Sequence, residues 1–389
     1  MATRGNRFGS RLRAALEIPQ DIIDEILDHI TDDGSRSRPS LLSCSLVSKS
    51  WVAPCRRHLF RSIFFTWRYI AIWLETFPAP EESPAHHVRE LDFWCGWCFD
   101  APERFFEYIP WFTNVRKVAW SGQAELEPLC SLLSFGRLSQ SVTSLAIDMD
   151  AVTLLQIRDV VERLPNLNDL SLSGSLVWME KDRLRGIGTS LRGKFGGRLR
   201  LLKGHADLDI VNMLLEVPAG LHFTEVYIHS LYGLLRPTLI LAEACGESLV
   251  RLIHTVDEHS ESPPLFQTHQ TIHSKLSSES DCHESYARSF NFAKFPNLEE
   301  VKFSIDRTSG GLLWITTALS TLKPTTSPRL SNIQLDFGGL IAWLTDDRRL
   351  FKTQVSRVES EFAGVVDLRV KGCPMHQVGS QLHYVFTDS

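Results

Sequence analysis

The stretches LPNLNDLSL, at residues 164–172, and FPNLEEVKF, at residues 295–303, carry the same pattern of apolar residues. Each has an apolar residue at its first, fourth, seventh and ninth positions. The last three positions alternate between apolar and polar, which is typical of a short strand with one buried face. Both stretches therefore predict the same kind of short strand.

The apolar-x-x-apolar-x-apolar spacing of these stretches returns along most of the chain. Its copies begin at Val88, Val115, Val142, Leu167, Phe223, Leu298, Leu330 and Val365, with weaker copies at Leu199–Gly204 and Leu249–His254. The first four starts are 27, 27 and 25 residues apart. Helical candidates lie between copies, at Ala101–Ile109, Leu126–Leu133, Val152–Leu164, Asp207–Val217 and Leu234–Cys245. Strand-plus-helix units at a nearly fixed period indicate stacked repeats that bury one continuous core.

These units resemble leucine-rich repeats, although the asparagine or cysteine that usually follows the strand is mostly missing. The resemblance implies an α/β fold, with a leucine-rich-repeat-like solenoid of short strands and helices over residues 85–389. An irregular α/β domain, in which the similar phrases are coincidence, is the alternative.

A repeat array of this kind presents one side chain per strand to a binding partner. The strands line the concave face, and the residue between the last two apolar positions of each copy points out from it. These residues are Asp92, Ala119, Ala146, Ser171, Lys203, Tyr227, Ile253, Lys302, Gln334 and Arg369. From Lys203 onward they are larger and include cations and an aromatic, which carry binding energy at interfaces. We therefore expect a partner on the C-terminal half of the face, rather than solvated residues without function. The substrate-binding candidates are Tyr227, Lys302, Gln334 and Arg369.

A different spacing of apolar residues is found in residues 18–65, IPQDIIDEILDHITDDGSRSRPSLLSCSLVSKSWVAPCRRHLFRSIFF. Its apolar residues recur at the spacing of helix faces, which predicts three short helices. Three such helices have little room for a private core, and exposing so many apolar side chains is unfavourable. We therefore expect their apolar face to pack against something other than these three helices.

The same stretch resembles an F-box. The resemblance rests on Ile18-Pro19, Ile22-Ile23, Ile26-Leu27, the segment LxCxLVSKxW at residues 42–51, and Leu59-Phe60. The polar segment at residues 32–39 is longer than in many members, and a helical hairpin that caps a larger domain is the alternative. The resemblance implies docking to the adaptor subunit of an SCF-type cullin–RING ubiquitin ligase, and through it to the cullin. The implied adaptor-binding residues are Pro19, Ile22, Ile23, Ile26, Leu27, Leu42, Leu46, Val47 and Trp51.

Together the two resemblances imply a substrate-recognition subunit that performs no chemistry and needs no cofactor. The repeat array would bind a target protein, and other subunits would transfer ubiquitin to it. A scaffold that binds the adaptor without causing degradation is an alternative.

The composition agrees with a chain that works inside the cytoplasm or nucleus. The 389 residues carry a net charge of −5, and 43% are hydrophobic, which gives no indication of nucleic-acid or membrane binding. Eight scattered cysteines are typical of a reducing compartment. Residues 1–17 are predicted to be a disordered tail rather than a mitochondrial presequence. Residues 66–84 are predicted to be a helix and a proline-rich link.

Cys95 and Cys98 form a Cys-x-x-Cys pair after a strand phrase, which raises the alternative of a thiol oxidoreductase. The residues before them do not form the strand–helix unit that this chemistry needs, and Trp97 stands where proline is usual. Packed structural thiols are the favoured interpretation.

Three further motifs are weaker. Gly188–Lys194 fits a phosphate-loop spacing, but Phe195 follows where the motif requires serine or threonine. Residues 181–203 hold eight Lys or Arg residues, which favours a solvated basic rim, with contact to an acidic or phosphorylated partner as the alternative. Residues 259–290 are predicted to be a polar loop. Its metal-ligating side chains lack the paired spacing of a zinc site: His259, His269, His273, Cys282 and His283.

Overall fold

The computed structural model describes eleven segments of the chain. They are residues 18–32, 37–95, 102–122, 126–176, 195–202, 208–217, 220–231, 235–257, 291–305, 311–337 and 345–371. The predicted tail at residues 1–17, the predicted loop at residues 259–290, Cys98 and the phosphate-loop-like segment Gly188–Lys194 lie outside these segments.

The described residues form an eleven-stranded sheet in which strand order follows chain order. The strands are β1 Ser62–Phe65, β2 Glu90–Cys95, β3 Lys117–Gly122, β4 Ser144–Val152, β5 Asp169–Leu176, β6 Arg198–Leu201, β7 Glu225–Leu231, β8 Arg251–Asp257, β9 Glu300–Ile305, β10 Asn332–Phe337 and β11 Asp367–Lys371. β1 and β2 are parallel, as is each successive pair from β4 to β11. The expected α/β class with parallel strands is confirmed.

Three helices precede β1, and the other described helices lie in the connections between strands. They are α1 Gln20–Asp32, α2 Ser37–Ser45, α3 Lys49–Leu59, α4 Trp67–Thr76, α5 Glu103–Phe106, α6 Glu127–Leu133, α7 Gly136–Ser141, α8 Leu154–Glu162, α9 Leu208–Leu215, α10 Leu235–Ala244, α11 Gly311–Ser320 and α12 Thr345–Glu361. The five helical candidates named from the sequence all contain a helix, whereas α7, α11 and α12 were not anticipated. α8 begins with a capping box, in which the Thr153 side chain and Gln156 satisfy each other's backbone N–H groups.

The chain divides into two compact units, residues 1–94 with 100–118 and residues 95–99 with 119–389. The expected boundaries at residues 65 and 85 differ from this division. Ser62–Phe65, expected to end the helical domain, is strand β1 and pairs with β2. The reason is visible in the sequence, because Phe60, Ile63 and Phe65 form another copy of the strand phrase.

In the first unit, helices α1, α2 and α3 pack on a small core of their own. Ile23, Leu27, Leu41, Trp51 and Cys55 are buried in it, and three half-buried apolar residues pack around them. On the surface of this core, the Arg57 guanidinium donates to Asp24 Oδ1 at 2.9 Å and joins α3 to α1. These helices therefore have an internal core, whereas the sequence predicts little room for one.

The proline-rich segment expected to be a link is part of the packed first unit. It forms two short 3₁₀ helices, Pro80–Glu82 and Pro84–His87, and buries Ser83 and Ala85. The Arg104 guanidinium donates to the carbonyl of Pro78 at 2.6 Å. Because its backbone and side chains are fixed in this way, the segment does not separate two domains.

Neighbouring strands are joined by one backbone arrangement that recurs just before most of them. The Thr143 carbonyl accepts from the amides of Asn168, at 2.8 Å, and Asp169, at 2.9 Å. The carbonyls that accept two amides from the next repeat in the same way are those of Arg61, Arg89, Gly197, Thr224, Val250 and Glu299. This arrangement satisfies backbone N–H groups at the start of these strands.

The core of the second unit is built from two rows of inward side chains along the sheet. One row continues through Leu145, Leu170, Leu199, Val226, Leu252, Val301 and Ile333, all nearly inaccessible to solvent. The other row contains one polar member, His254, between Ile228 and Phe303. Burial, with a smaller effect of His229, lowers the pKa of His254 to about 3, so this side chain is neutral at physiological pH.

Candidate functional site

The three-helix part of the first unit exposes an unusual number of apolar side chains. Leu46 is 86% exposed and Val47 65% exposed, in the turn between α2 and α3. Ile22 and Ile26 lie four residues apart on α1 and are also exposed, as is Leu42 on α2. These side chains provide an apolar surface that the core of the three helices does not use.

Burial divides the nine residues that the F-box resemblance implied for the adaptor. Ile23, Leu27 and Trp51 lie in the helical core, so their side chains support the three helices rather than face a partner. The sequence could not make this division, because Ile22-Ile23 and Ile26-Leu27 place two apolar residues side by side. The members that remain exposed, named below as the helical face, are Pro19, Ile22, Ile26, Leu42, Leu46 and Val47.

A second candidate surface is the outward row of side chains along the sheet of the second unit. The strand register places these residues opposite one another: Ala146, Ser171, Arg200, Tyr227, Ile253, Lys302, Gln334 and Arg369. Neighbouring strands lie about 4.8 Å apart, so adjacent members of this row can contact one partner together. The four residues predicted for substrate binding are all members of this sheet row.

One member of the sheet row was predicted wrongly. The sequence indicated Lys203, but Leu199 pairs with Leu170 and with Val226, which places Arg200 in the row. Lys203 lies outside the described residues. The error arose because Gly196 occupies the first position of this copy, so the spacing was counted from Leu199 instead. The signal that could have identified Arg200 is the apolar–polar–apolar alternation of Leu199, Arg200 and Leu201.

The row before the sheet row alternates in charge from strand to strand. Arg198 pairs with Asp169 at 3.0 Å, and Arg251 lies 2.6 Å from Glu300 and 3.4 Å from Glu225. Each of these side chains is partly exposed, so each pair contributes little to stability. Their effect is to neutralise this row internally.

A shallow depression of about 400 Å³ lies on this face over β6, β7 and β8. The outward side chains around it include Arg200, Tyr227 and Ile253, with Arg198 and Arg251 at its border. Of the four predicted substrate-binding residues, only Tyr227 lines it. The depression therefore moves the centre of the candidate site from the C-terminal end towards Tyr227.

The cations of the sheet row differ in their surroundings. Arg369 pairs with Asp367 on the same strand, and the bond and charge of Asp367 raise the pKa of Arg369. Within the described residues, Arg200 and Lys302 have no ion-pair partner. These two cations are therefore available to an acidic or hydrogen-bonding partner on either side of Tyr227.

Most residues of the thiol and metal alternatives lie outside the described part of the chain, which leaves both alternatives untested. Cys95 ends β2, whereas Cys98, its proposed partner, is among the residues not described. Burial raises the pKa of the Cys245 thiol to about 12 and also raises the pKa of Cys55, which makes both thiols poor nucleophiles. In the described part of the chain, no group of three or more His, Cys, Asp or Glu residues is placed to hold a metal ion. The histidines predicted in the loop lie outside it.

Comparisons with protein-family models and with curated proteins find no match for this chain. None of the described helices has both the length and the apolar character needed to cross a membrane.

Proposed function

We propose that this chain is a substrate-recognition subunit of an SCF-type cullin–RING ubiquitin ligase. In this proposal residues 18–59 are an F-box that binds the adaptor subunit, and the repeats are a leucine-rich-repeat-like solenoid that binds a target protein. The observation that carries the proposal is the helical face, which presents six exposed residues beside a formed helical core.

The energetics of the helical face support a docking role. Complete burial of a leucine or isoleucine side chain contributes about 1.5–3 kcal/mol. The helices already have a core in Ile23, Leu27 and Trp51, so the exposed residues are not needed to hold them together. An apolar surface that the fold does not need is typical of a protein-interaction site.

The repeat architecture supports the second half of the proposal. Parallel strands in chain order, helices in the connections and the recurring two-amide carbonyl are all expected of stacked repeats. The sheet row carries Tyr227 beside Arg200, and tyrosine and arginine are common among the residues that dominate binding energy.

A subunit of this kind would act through proximity. By holding a target and the ligase on one chain, it converts their encounter into an intramolecular one with a high effective concentration. No catalytic group is required of this chain, because ubiquitin transfer belongs to other subunits of the assembly.

The test is co-purification of the full chain with the SCF adaptor, followed by target ubiquitination with the reconstituted ligase. Ile22→Asp with Ile26→Asp should abolish adaptor binding, because each new carboxylate would be buried without a partner. Ile72→Asp, at another exposed isoleucine of the first unit, is the matched control and should bind normally. Equal binding by the paired variant would contradict the proposal.

The same experiment separates the non-degradative scaffold from a ligase subunit. A scaffold would retain adaptor binding and target capture through the same two surfaces. It would give no ubiquitin transfer to the captured target and no increase of that target when the proteasome is inhibited.

A further inference from the structure

The first unit contains a pocket of about 600 Å³ that neither proposed binding surface uses. Four arginines line it: Arg57, Arg61, Arg89 and Arg116. It is lined by Arg57 and His58 of α3, by Asp24 and Asp28 of α1, and by residues just before the first three strands.

The repeat geometry explains why three of these arginines come together. Arg61, Arg89 and Arg116 each directly precede a strand, at β1, β2 and β3. The Arg89 amide donates to the Arg61 carbonyl at 2.8 Å, and the Arg116 amide donates to the Arg89 carbonyl at 2.8 Å. Their backbones therefore lie at about the 4.8 Å spacing of neighbouring strands, and all three residues line the pocket. These three residues are named below as the arginine column.

The charges of the pocket are not balanced within it. Asp24 lies 2.9 Å from the Arg57 guanidinium, and Asp28 lies 3.6 Å from His58 Nε2. Among the described residues that line the pocket, these two aspartates are the only carboxylates. In the part of the chain that the structure describes, neither Arg61 nor Arg89 forms an ion pair.

Two histidines of the pocket, His58 and His87, add hydrogen-bonding groups rather than further charge. Burial lowers the pKa of His87, and the neighbouring His86 and the arginines of α3 lower it further. Burial also lowers the pKa of His58, against the opposing effect of Asp28. Neutral imidazoles offer one N–H donor each, beside guanidinium groups that remain charged at every physiological pH.

We propose that the arginine column binds a phosphoryl group. Arginine forks match the geometry of phosphate oxygens, and a phosphate monoester carries close to two negative charges at neutral pH. Such an anion matches the two positive charges of Arg61 and Arg89, which form no ion pair within the described residues. The pocket has room for one phosphoryl group and its immediate attachment, which can be a phosphorylated side chain or a small polyphosphate.

Binding is tested by calorimetry on the full chain at physiological ionic strength, where weak surface attraction is screened. One probe is tripolyphosphate, and the other is a phosphoserine peptide compared with its unphosphorylated form. Saturable binding of either phosphorylated probe supports the proposal, and the stronger probe identifies the source of the phosphoryl group. Failure of both overturns it, whatever the result with the adaptor.

The pocket is assigned by a paired variant with a matched control. Arg61→Gln with Arg89→Gln should weaken probe binding about tenfold or more, because it removes two charge-assisted contacts. Arg137→Gln with Arg329→Gln makes the same change of charge at exposed arginines of the second unit and should bind normally. Equal loss in both pairs, or none in the first, would place the anion elsewhere.

Arg89→Lys keeps the proposal testable if the paired variant does not fold. Lysine preserves the charge but loses the planar fork, so affinity should fall about threefold or more at an unchanged melting temperature. An unchanged affinity for the phosphorylated probe would show that the Arg89 guanidinium does not bind the phosphoryl group.

Discussion

Leu46 provides a direct test of the proposed docking surface, through the substitution Leu46→Asp. Its side chain is 86% exposed, and its amide donates to the Ser43 carbonyl at 3.1 Å in the turn between α2 and α3. The substitution leaves that backbone bond in place and removes almost no intramolecular contact. The free energy of unfolding should therefore change by no more than about 0.5 kcal/mol, as for other surface substitutions.

The effect on adaptor binding should be much larger. If docking covers this side chain, the variant loses about 1.5–3 kcal/mol of apolar burial. Each 1.4 kcal/mol corresponds to a tenfold change, so the dissociation constant should rise by about 10- to 150-fold. Desolvation of the new carboxylate would raise it further.

The assay compares adaptor affinity by calorimetry with thermal unfolding of the same preparations. Leu27→Asp, at a fully buried residue of the helical core, should unfold the helices and lose binding for that reason. Leu350→Asp, at an exposed leucine of α12 in the second unit, should change neither property. Adaptor affinity within twofold of the parent for a folded Leu46→Asp chain would refute the assignment of this surface.

Three other predictions follow from the second unit. Burial lowers the pKa of His254 to about 3, so protonation favours the unfolded chain below pH 6.5. The unfolding free energy measured by denaturation should therefore fall by about 1.4 kcal/mol per pH unit as the pH is lowered from 6.5 to about 3. His254→Leu should flatten this pH dependence, and an unchanged slope in the variant would contradict the reasoning. Gly174→Ala should lower the melting temperature, since φ is +112° and the new Cβ would lie 1.8 Å from the Met149 carbonyl oxygen; an unchanged melting temperature would show that β4 and β5 can separate there freely. Tyr227→Ala with Arg200→Ala should reduce target capture about tenfold while adaptor binding stays normal, and undiminished capture would move the target site off this face.

The parallel strands of the second unit were predictable because their signal is short and local. Each copy, such as the one ending at Leu170 and Leu172, fixes a strand and its buried face through alternation alone. Helix ends followed capping chemistry only in part, as at Thr153 and Gln156. α12 was missed because its charged first turns hide the apolar stripe through Phe351, Val355 and Val358.

The candidate surfaces depended on information that the sequence does not hold. Ile22 and Ile23 are chemically equal neighbours, and only the packing of three helices shows that one is core and the other surface. The register of β6 required its pairing with β5 and β7, because glycine replaced the apolar residue that marks other copies. The arginine column was invisible for a similar reason, since Arg61 lies in a copy hidden at the end of the helical region.

The register between strands has a consequence for how this chain can change in length. Arg251 and Glu300 are neighbours across β8 and β9 although 49 residues separate them, whereas 26 separate Arg251 from Glu225 on its other side. In general, doubling the length of a closed loop adds only about 0.6 kcal/mol of closure entropy. Insertions between strands can therefore lengthen a connection at little thermodynamic cost, while Arg251 keeps both of its partners. The connections can diverge in length during evolution without any change in the sheet.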